Sequence, residues 1–472
     1  RAEIVIRQTR DFYQASKKLT YLLIDVLVKQ RKYQAAIDEI QKVMAIYGTG
    51  DGILDAALHI RDELGPMLLD EKHRKGSLSV CMIVKDEEDK IARCLFSLMP
   101  VASEIIVVDT GSSDRTKDVA RAFGARIFDF PWVNDFSAAR NYSMSQAQGE
   151  WILVHDADEV ISSRDHEKLR LALHDNASGT AAYSLIARNY SMDSVCEGWM
   201  MNKGEYPDEE TGTGWSPSPK VRLVKNDERF RFENPIHELL EPSLRRAGVE
   251  IRHLPVAVHH YGQSDRERIE TKGELYYRIG KKKLEDMPDQ EAAIRELAVQ
   301  ARALGKYDES LELWEKYIAI NPGHPRPYFN MSGCYYEKEE YENAFEAAKK
   351  ALELDPASKE TIQCFGIMSL FNDSAADAIP ILKDMLETTP EYPTGKMTLA
   401  AAYSLAGREN ESLEQLKQLA QMKYDCSLAL YAIAQKLIRA RKETEGLGLL
   451  RNMEKSGHIN SDGIELLETA RS

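Results

Sequence analysis

The stretch Ile105-Ile106-Val107-Val108-Asp109-Thr110-Gly111-Ser112-Ser113-Asp114, with its counterpart Trp151-Ile152-Leu153-Val154-His155-Asp156-Ala157-Asp158-Glu159, decides how this chain folds. Each begins as an apolar run too short for a helix and stops abruptly in acids, which reads as a strand buried on both faces of a parallel sheet. Acids at the carboxyl ends of such strands stand where α/β sheets bind ligands. Asp156 and Asp158, one small residue apart, can converge on a hard divalent cation, and that cation could bridge a diphosphate.

Outward from these strands the pattern repeats. Strands are expected at 78–84, 104–108, 125–128 and 151–154, alternating with helices at about 87–98, 114–123 and 136–147, a βαβ architecture. Further strands fall at 182–187, 220–224 and 256–260. Between the first two of these, 192–219 is rich in Gly, Pro and acids, and a loop of that length is read either as a mobile lid or acceptor-binding loop or as plain disorder. Residues 1–72 carry apolar residues at helical spacing, and 32–40 looks like the junction of a helical hairpin.

The last third is periodic. Pro322, Pro356 and Pro390 recur at one interval, as do Ser310, Ala344, Ala378 and Ser412, and Ala298, Ser332, Gly366 and Ala400. Small residues where two helices cross, with proline closing each unit, look like the tetratricopeptide repeat. Four units fit between about 291 and 426, followed by a degenerate helical cap. Tyr33 and Ala36 resemble the same motif, so a further unit is placed ahead of the α/β region. The expected division is a helical segment at 1–72, an α/β domain at 76–265, a helical linker at 266–290 and repeats with their cap at 291–472.

A chain of 472 residues exceeds what one hydrophobic core organises. Charged residues make up 29%, and no apolar run approaches the ~18 residues of a membrane span. The patch 19–28 is broken by Asp25 and leads to no cleavage site, which argues against a secretion signal, although the chain opens on Arg1. A net charge of −14 opposes nucleic acid or an anionic membrane as main partner. Six cysteines without CxxC spacing fit reduced thiols in a cytoplasmic protein without structural zinc.

Four motifs in order, residues 79–88, Val108 to Asp114, Asn134-Asp135-Phe136-Ser137-Ala138-Ala139-Arg140-Asn141 and His155 to Asp158, give the α/β part an identity. Together they resemble family 2 glycosyltransferases of the GT-A fold, over roughly 78–262. The block Phe232-Glu233-Asn234-Pro235-Ile236-His237-Glu238, then His259-His260-Tyr261-Gly262, and the fused repeats look most like a bacterial subgroup. That subgroup includes the S-glycosyltransferases of bacteriocin peptides. The resemblance implies a Rossmann-like nucleotide-sugar domain, a UDP-linked donor and Mn²⁺ or Mg²⁺. It implies that Asp158 contacts the metal and Asp156 the ribose or a metal-bound water, and that Asp109 binds base or ribose. Arg140 would contact the diphosphate, Arg222 would face the donor from its strand, and His260 would be a third metal ligand. Lys85-Asp86 departs from the aromatic-Asn pair of many members, which puts base stacking in doubt and leaves Lys85 to contact phosphate or base edges.

An inverting transfer needs a base across the pocket from the metal, hence from a distant stretch. Glu238 is preferred over His237, with Asp193 or an acid of 205–210 as substitutes. Plainer uses stand beside these: strand ends and helix caps for the acids, Asp114 above all, a structural His-Glu pair at 237–238, a core role for His260, an outward salt bridge for Arg222 and core packing for Trp199 and Trp215, which could otherwise stack on sugar. The expected function is metal-dependent inverting transfer of a sugar to Ser, Thr or Cys of a peptide or protein bound by the repeats. The repeats could instead assemble a homodimer. The alternatives are a polysaccharide or lipid-carrier acceptor, or a repeat scaffold with an inactive transferase domain.

Overall fold

The computed structural model describes residues 2–12, 17–50, 52–69, 74–175, 181–191, 198–261, 266–422, 424 and 426–458. Contacts group the chain into two units: 1–190 with 204–210 and 217–264, and 265–472 with 191–203 and 211–216.

The first unit is built on a sheet of β1 (Leu78–Val84), β2 (Glu104–Asp109), β3 (Arg126–Asp129), β4 (Trp151–Val154), β5 (Glu159–Ile161), β6 (Ala182–Ser191), β8 (Gly214–Lys225) and β9 (Ile251–His260), in the order β3-β2-β1-β4-β8-β6-β9-β5. β1 runs parallel to both β2 and β4, whereas β8 lies antiparallel to β4. The parallel half arises as expected, since every residue of β2 and β4 is buried. Alternate residues feed opposite faces. Val80, Ile105 and Val107 join one core; Cys81, Ile106 and Val108 join another.

The N-terminal helices Lys17–Lys29, Tyr33–Tyr47 and Ile53–Leu64 share the first of these cores through Leu23, Ile37, Ile40 and Leu54. Gln41 and Arg61 both donate to the carbonyl of Ala122, at 3.1 and 3.2 Å. These helices therefore belong to the sheet's own unit.

In the second unit, first helices begin at residues 291, 325, 359, 393 and 427, and second helices at 307, 341, 375, 409 and 443. What was expected to be a degenerate cap is a fifth pair in strict register. The turn inside each pair holds one left-handed residue: Gly305, Glu339, Asp373, Gly407 and Arg441. At the N-terminus Arg31 is left-handed too, and it follows the start of Lys17–Lys29 by the same interval. The small residues close the crossings: Ser310 Oγ donates to the Ala298 carbonyl, Ser332 to Ala344 and Ser412 to Ala400, each at 2.8 Å.

The expected loop at 192–219 is ordered where it is described. β7 (Met200–Met201) pairs antiparallel with the start of β8, Met200 opposite Trp215 and Met201 opposite Gly214. β8 therefore starts six residues before its expected onset. Asp193 lies outside the described residues.

Candidate active site

The parallel register sets Val84 opposite Asp109, so the carboxyl ends of β1 and β2 lie level. The loops beyond them are clasped together. Asp86, left-handed at φ 53°, accepts from the Ser113 N–H at 2.7 Å, and its own N–H donates to Ser112 Oγ at 2.9 Å. The Ser113 donation holds the Asp86 carboxyl below its usual range. Asp114 accepts from the Thr116 N–H at 2.9 Å and from Glu88 N–H at 3.1 Å, so it organises the start of the helix Thr116–Ala122. Asp109 is buried, and its oxygens accept from the N–H groups of Gly111 and Ser112 at 3.1 to 3.2 Å. Gly111, at φ 110°, gives the backbone the turn that aims those donors back. Lys85 stands exposed just past β1.

Asp156 and Asp158 follow β4, and the strand missed from sequence, β5, fixes where they point. Glu159 sits opposite His260 in the antiparallel β5–β9 pair, and Asn189 opposite His260 in the parallel β6–β9 pair. The Tyr261 N–H donates to the Asp158 carbonyl at 3.1 Å. His260 Nε2 lies 3.4 Å from Asp158 Oδ2, while Nδ1 bonds Asn189 Oδ1 at 2.8 Å. Burial works to lower the His260 imidazolium, but Asp158, with Glu159 and Asp156 behind it, overcomes this and raises it. Next door, His259 is packed against Tyr190 and Tyr206, and burial pushes it down to about 4.

Arg140 ties two distant motifs together. Its Nη2 donates to Asp156 Oδ1 at 2.9 Å and its Nε to Glu238 Oε1 at 2.7 Å, with the guanidinium 5.6 Å from the Phe232 ring centre. Burial opposes the charge, and the two carboxylates more than restore it. Nη1 is buried with no hydrogen-bond partner. The neighbouring Asn141 holds Phe232 by both backbone groups, donating to its carbonyl at 2.9 Å and accepting its N–H at 2.8 Å. Ser137 Oγ donates to the Asn234 carbonyl, and the Phe136 N–H to that of Pro235. This is how 232–238 is brought beside the helix Phe136–Ser145. His237 is left-handed at φ 50°, and so turns the backbone immediately before Glu238.

Arg222, expected to face the donor, is 4% exposed and gives both terminal nitrogens to Glu159, at 2.7 and 2.6 Å. It stands 3.9 Å from Asp156 Oδ2. Residues 221–224 of β8 are buried without alternation, so the strand is covered on both faces at this point. Trp199 and Trp215 are likewise buried, 2% and 8% exposed, which removes them from sugar stacking. Within 204–210, Glu210 accepts the N–H groups of Gly204 and Tyr206. Glu159 and Asn189 were not assigned from sequence. Glu159 closes the acidic run in plain view, whereas Asn189 is identified only by the register.

Among the described residues no group of three or more His, Cys, Asp and Glu side chains is set as a cation cage. Asp158 and His260 nonetheless fit a shared divalent ion. Nδ1 is held by Asn189, which leaves Nε2 as the ring nitrogen facing Asp158.

The family model described as Glycosyl transferase family 2 matches residues 79–210. A TPR repeat-containing protein of Synechococcus elongatus is 35% identical over 42% of this chain and 45% of its own length. Glycosyltransferase SunS of Bacillus subtilis is 25% identical over 52% of this chain and 54% of its own. The chain thus spans about half the length of these two relatives. An uncharacterized glycosyltransferase of Rickettsia felis is 33% identical over 42% of this chain and 67% of its own length. With acids at the carboxyl ends of parallel strands in one unit and helices repeating in pairs in the other, the chain belongs to the family 2 glycosyl transferases and carries tetratricopeptide-type repeats.

Proposed function

We propose that this chain is a cation-dependent inverting glycosyltransferase that moves a sugar from a UDP-linked donor to a Ser, Thr or Cys side chain of a peptide or protein. The observation that carries the reading is Arg140, which spans Asp156 on the donor side and Glu238 on the other while one buried nitrogen stays unused. Asp109 and Lys85 would receive the nucleotide, and Asp158 with His260 the cation. Bound Mn²⁺ or Mg²⁺ would neutralise charge developing on the diphosphate. Arg140 Nη1 is the donor available to a diphosphate oxygen, and an anion there competes with Asp156 and Glu238 for the guanidinium. Glu238 released from Arg140 takes the proton of the acceptor hydroxyl or thiol, as the acceptor atom bonds the anomeric carbon and the bond to the diphosphate breaks. A thiol asks less of that base because it ionises nearer neutral pH. Arg222 and Glu159 act from beneath, holding the turn on which Asp156 stands.

Nucleotide release from UDP-sugars, measured with and without Mn²⁺, tests the enzyme reading. Asp158→Ala is expected to lower release by roughly 10²-fold or more. Absence of cation-dependent release from any nucleotide sugar tried would refute it. Mass spectrometry of candidate polypeptides after incubation locates the acceptor atom.

A further inference from the structure

The ribbon made by 198–203 and 211–216 belongs to the repeat unit. Trp199 is 2% exposed and packs in one core with Ile362, Phe365 and Met397, with its ring 5.9 Å from Tyr424. The Gly198 N–H donates to Glu360 Oε1 at 3.1 Å, and Lys203 Nζ meets Glu391 Oε2 at 2.5 Å. Glu360, Glu391 and Tyr424 lie at the starts of the third, fourth and fifth first helices. The ribbon therefore runs along three successive helix beginnings.

Gly214 makes the arrangement possible, since a Cβ there would lie 2.3 Å from the Trp199 ring. The fit is incomplete on the polar side: Trp199 Nε1 and Thr213 Oγ1 are buried without hydrogen-bond partners. Burial of such groups weakens the seat. An aromatic anchor and an ammonium on an acid are contacts by which a groove recognises a foreign peptide, while the backbone pairing of Met200 with Trp215 keeps the segment extended from within the ribbon.

We propose that the beginnings of the third to fifth first helices form a docking surface for an extended polypeptide bearing an aromatic residue with a lysine or arginine four positions later, a surface that the chain's own Trp199–Lys203 segment occupies at rest. An incoming strand must displace a tethered competitor whose effective concentration is in the millimolar range. The proposal concerns binding alone and does not depend on the transfer reaction.

The test uses the full chain and a fluorescein-labelled peptide copying residues 198–216. By anisotropy, the Trp199→Ala chain should bind this peptide at least about tenfold more tightly than the wild type, because its internal competitor is weakened. Adding Glu360→Lys and Glu391→Lys, or replacing the peptide's first tryptophan by alanine, should abolish the gain. Equal binding by both chains, with helical circular dichroism intact, would overturn the proposal and mark the ribbon as permanent core. Should Trp199→Ala lose its helices, the wild-type chain decides the matter through tryptic cleavage after Lys203. Excess unlabelled peptide should speed that cleavage at least threefold, and an unchanged rate overturns the proposal.

Discussion

Arg222 and Glu159 make a bidentate pair in a region where both side chains are almost wholly buried. Removing one partner strands the other charge, which costs about 3–5 kcal/mol, whereas replacing both by apolar residues can be nearly neutral. Arg222→Met alone and Glu159→Leu alone should each lower the urea midpoint markedly, and the double replacement should recover most of the loss. If the double change is the sum of the singles, the pair is not a unit. Legibility was uneven at this scale. Asp109, Asp156 and Asp158 were readable because an acid stopping an apolar run is conspicuous. The partner of Arg222 was not, since alternation along 220–224 says nothing of facing when both faces of a strand are covered. The Arg140 bridge was unreadable for another reason: Glu238 lies 98 residues away, and the bonds of Phe136, Ser137 and Asn141 to residues 232–235 bring it near.

Among elements, the repeat was the most legible, because its period is a packing requirement. Ser310 and Ala298, or Ser412 and Ala400, meet at one fully buried crossing. At Gly366 an added Cβ would lie 3.0 Å from Thr398 Cγ2 and 3.2 Å from Leu382, so Gly366→Val should cost about 1–3 kcal/mol by overpacking. Gly448, in a second helix with nothing within 4 Å of its Cβ position, is the control. Gly448→Ala should gain up to about 1 kcal/mol from helix propensity alone. Thermal melts followed by circular dichroism would separate the two, and equal shifts would contradict the crossing argument. The fifth pair was misread as a cap because Tyr424 stands where proline closes the other units. The signal was present in Ala434 and Gly446, which fall at the small positions; a Cβ added at Gly446 would lie 2.8 Å from the Ala434 carbonyl oxygen. β5 escaped notice for its length of three residues, yet its pairing with β9 is what sets Asp158 beside His260.

At the scale of the whole molecule, the two kinds of architecture were apparent in the sequence, while the boundaries were not. Composition changes near residues 72 and 291, but packing assigns the N-terminal helices to the sheet's core and gives 198–203 to the repeats. Which body an insertion packs against depends on contacts across more than a hundred residues, and periodicity carries no record of them. A chain shortened to residues 1–290 would leave Trp199 and Met201 without the helices that cover them. Such a chain should bind a hydrophobic dye and self-associate in light scattering, and Trp199→Ser with Met201→Ser should relieve both. Failure of that pair to relieve them would locate the exposed surface elsewhere.

The placement of Trp199 also sets an order of events during synthesis. Its cover includes helices that begin at Lys359 and Pro393, and it meets Tyr424, all encoded far downstream. At ~5–20 residues per second, roughly 10–45 s pass between the emergence of Trp199 from the ribosome and that of its last ring partner. Throughout that interval the nascent chain carries an aromatic residue whose packing partners have yet to be made.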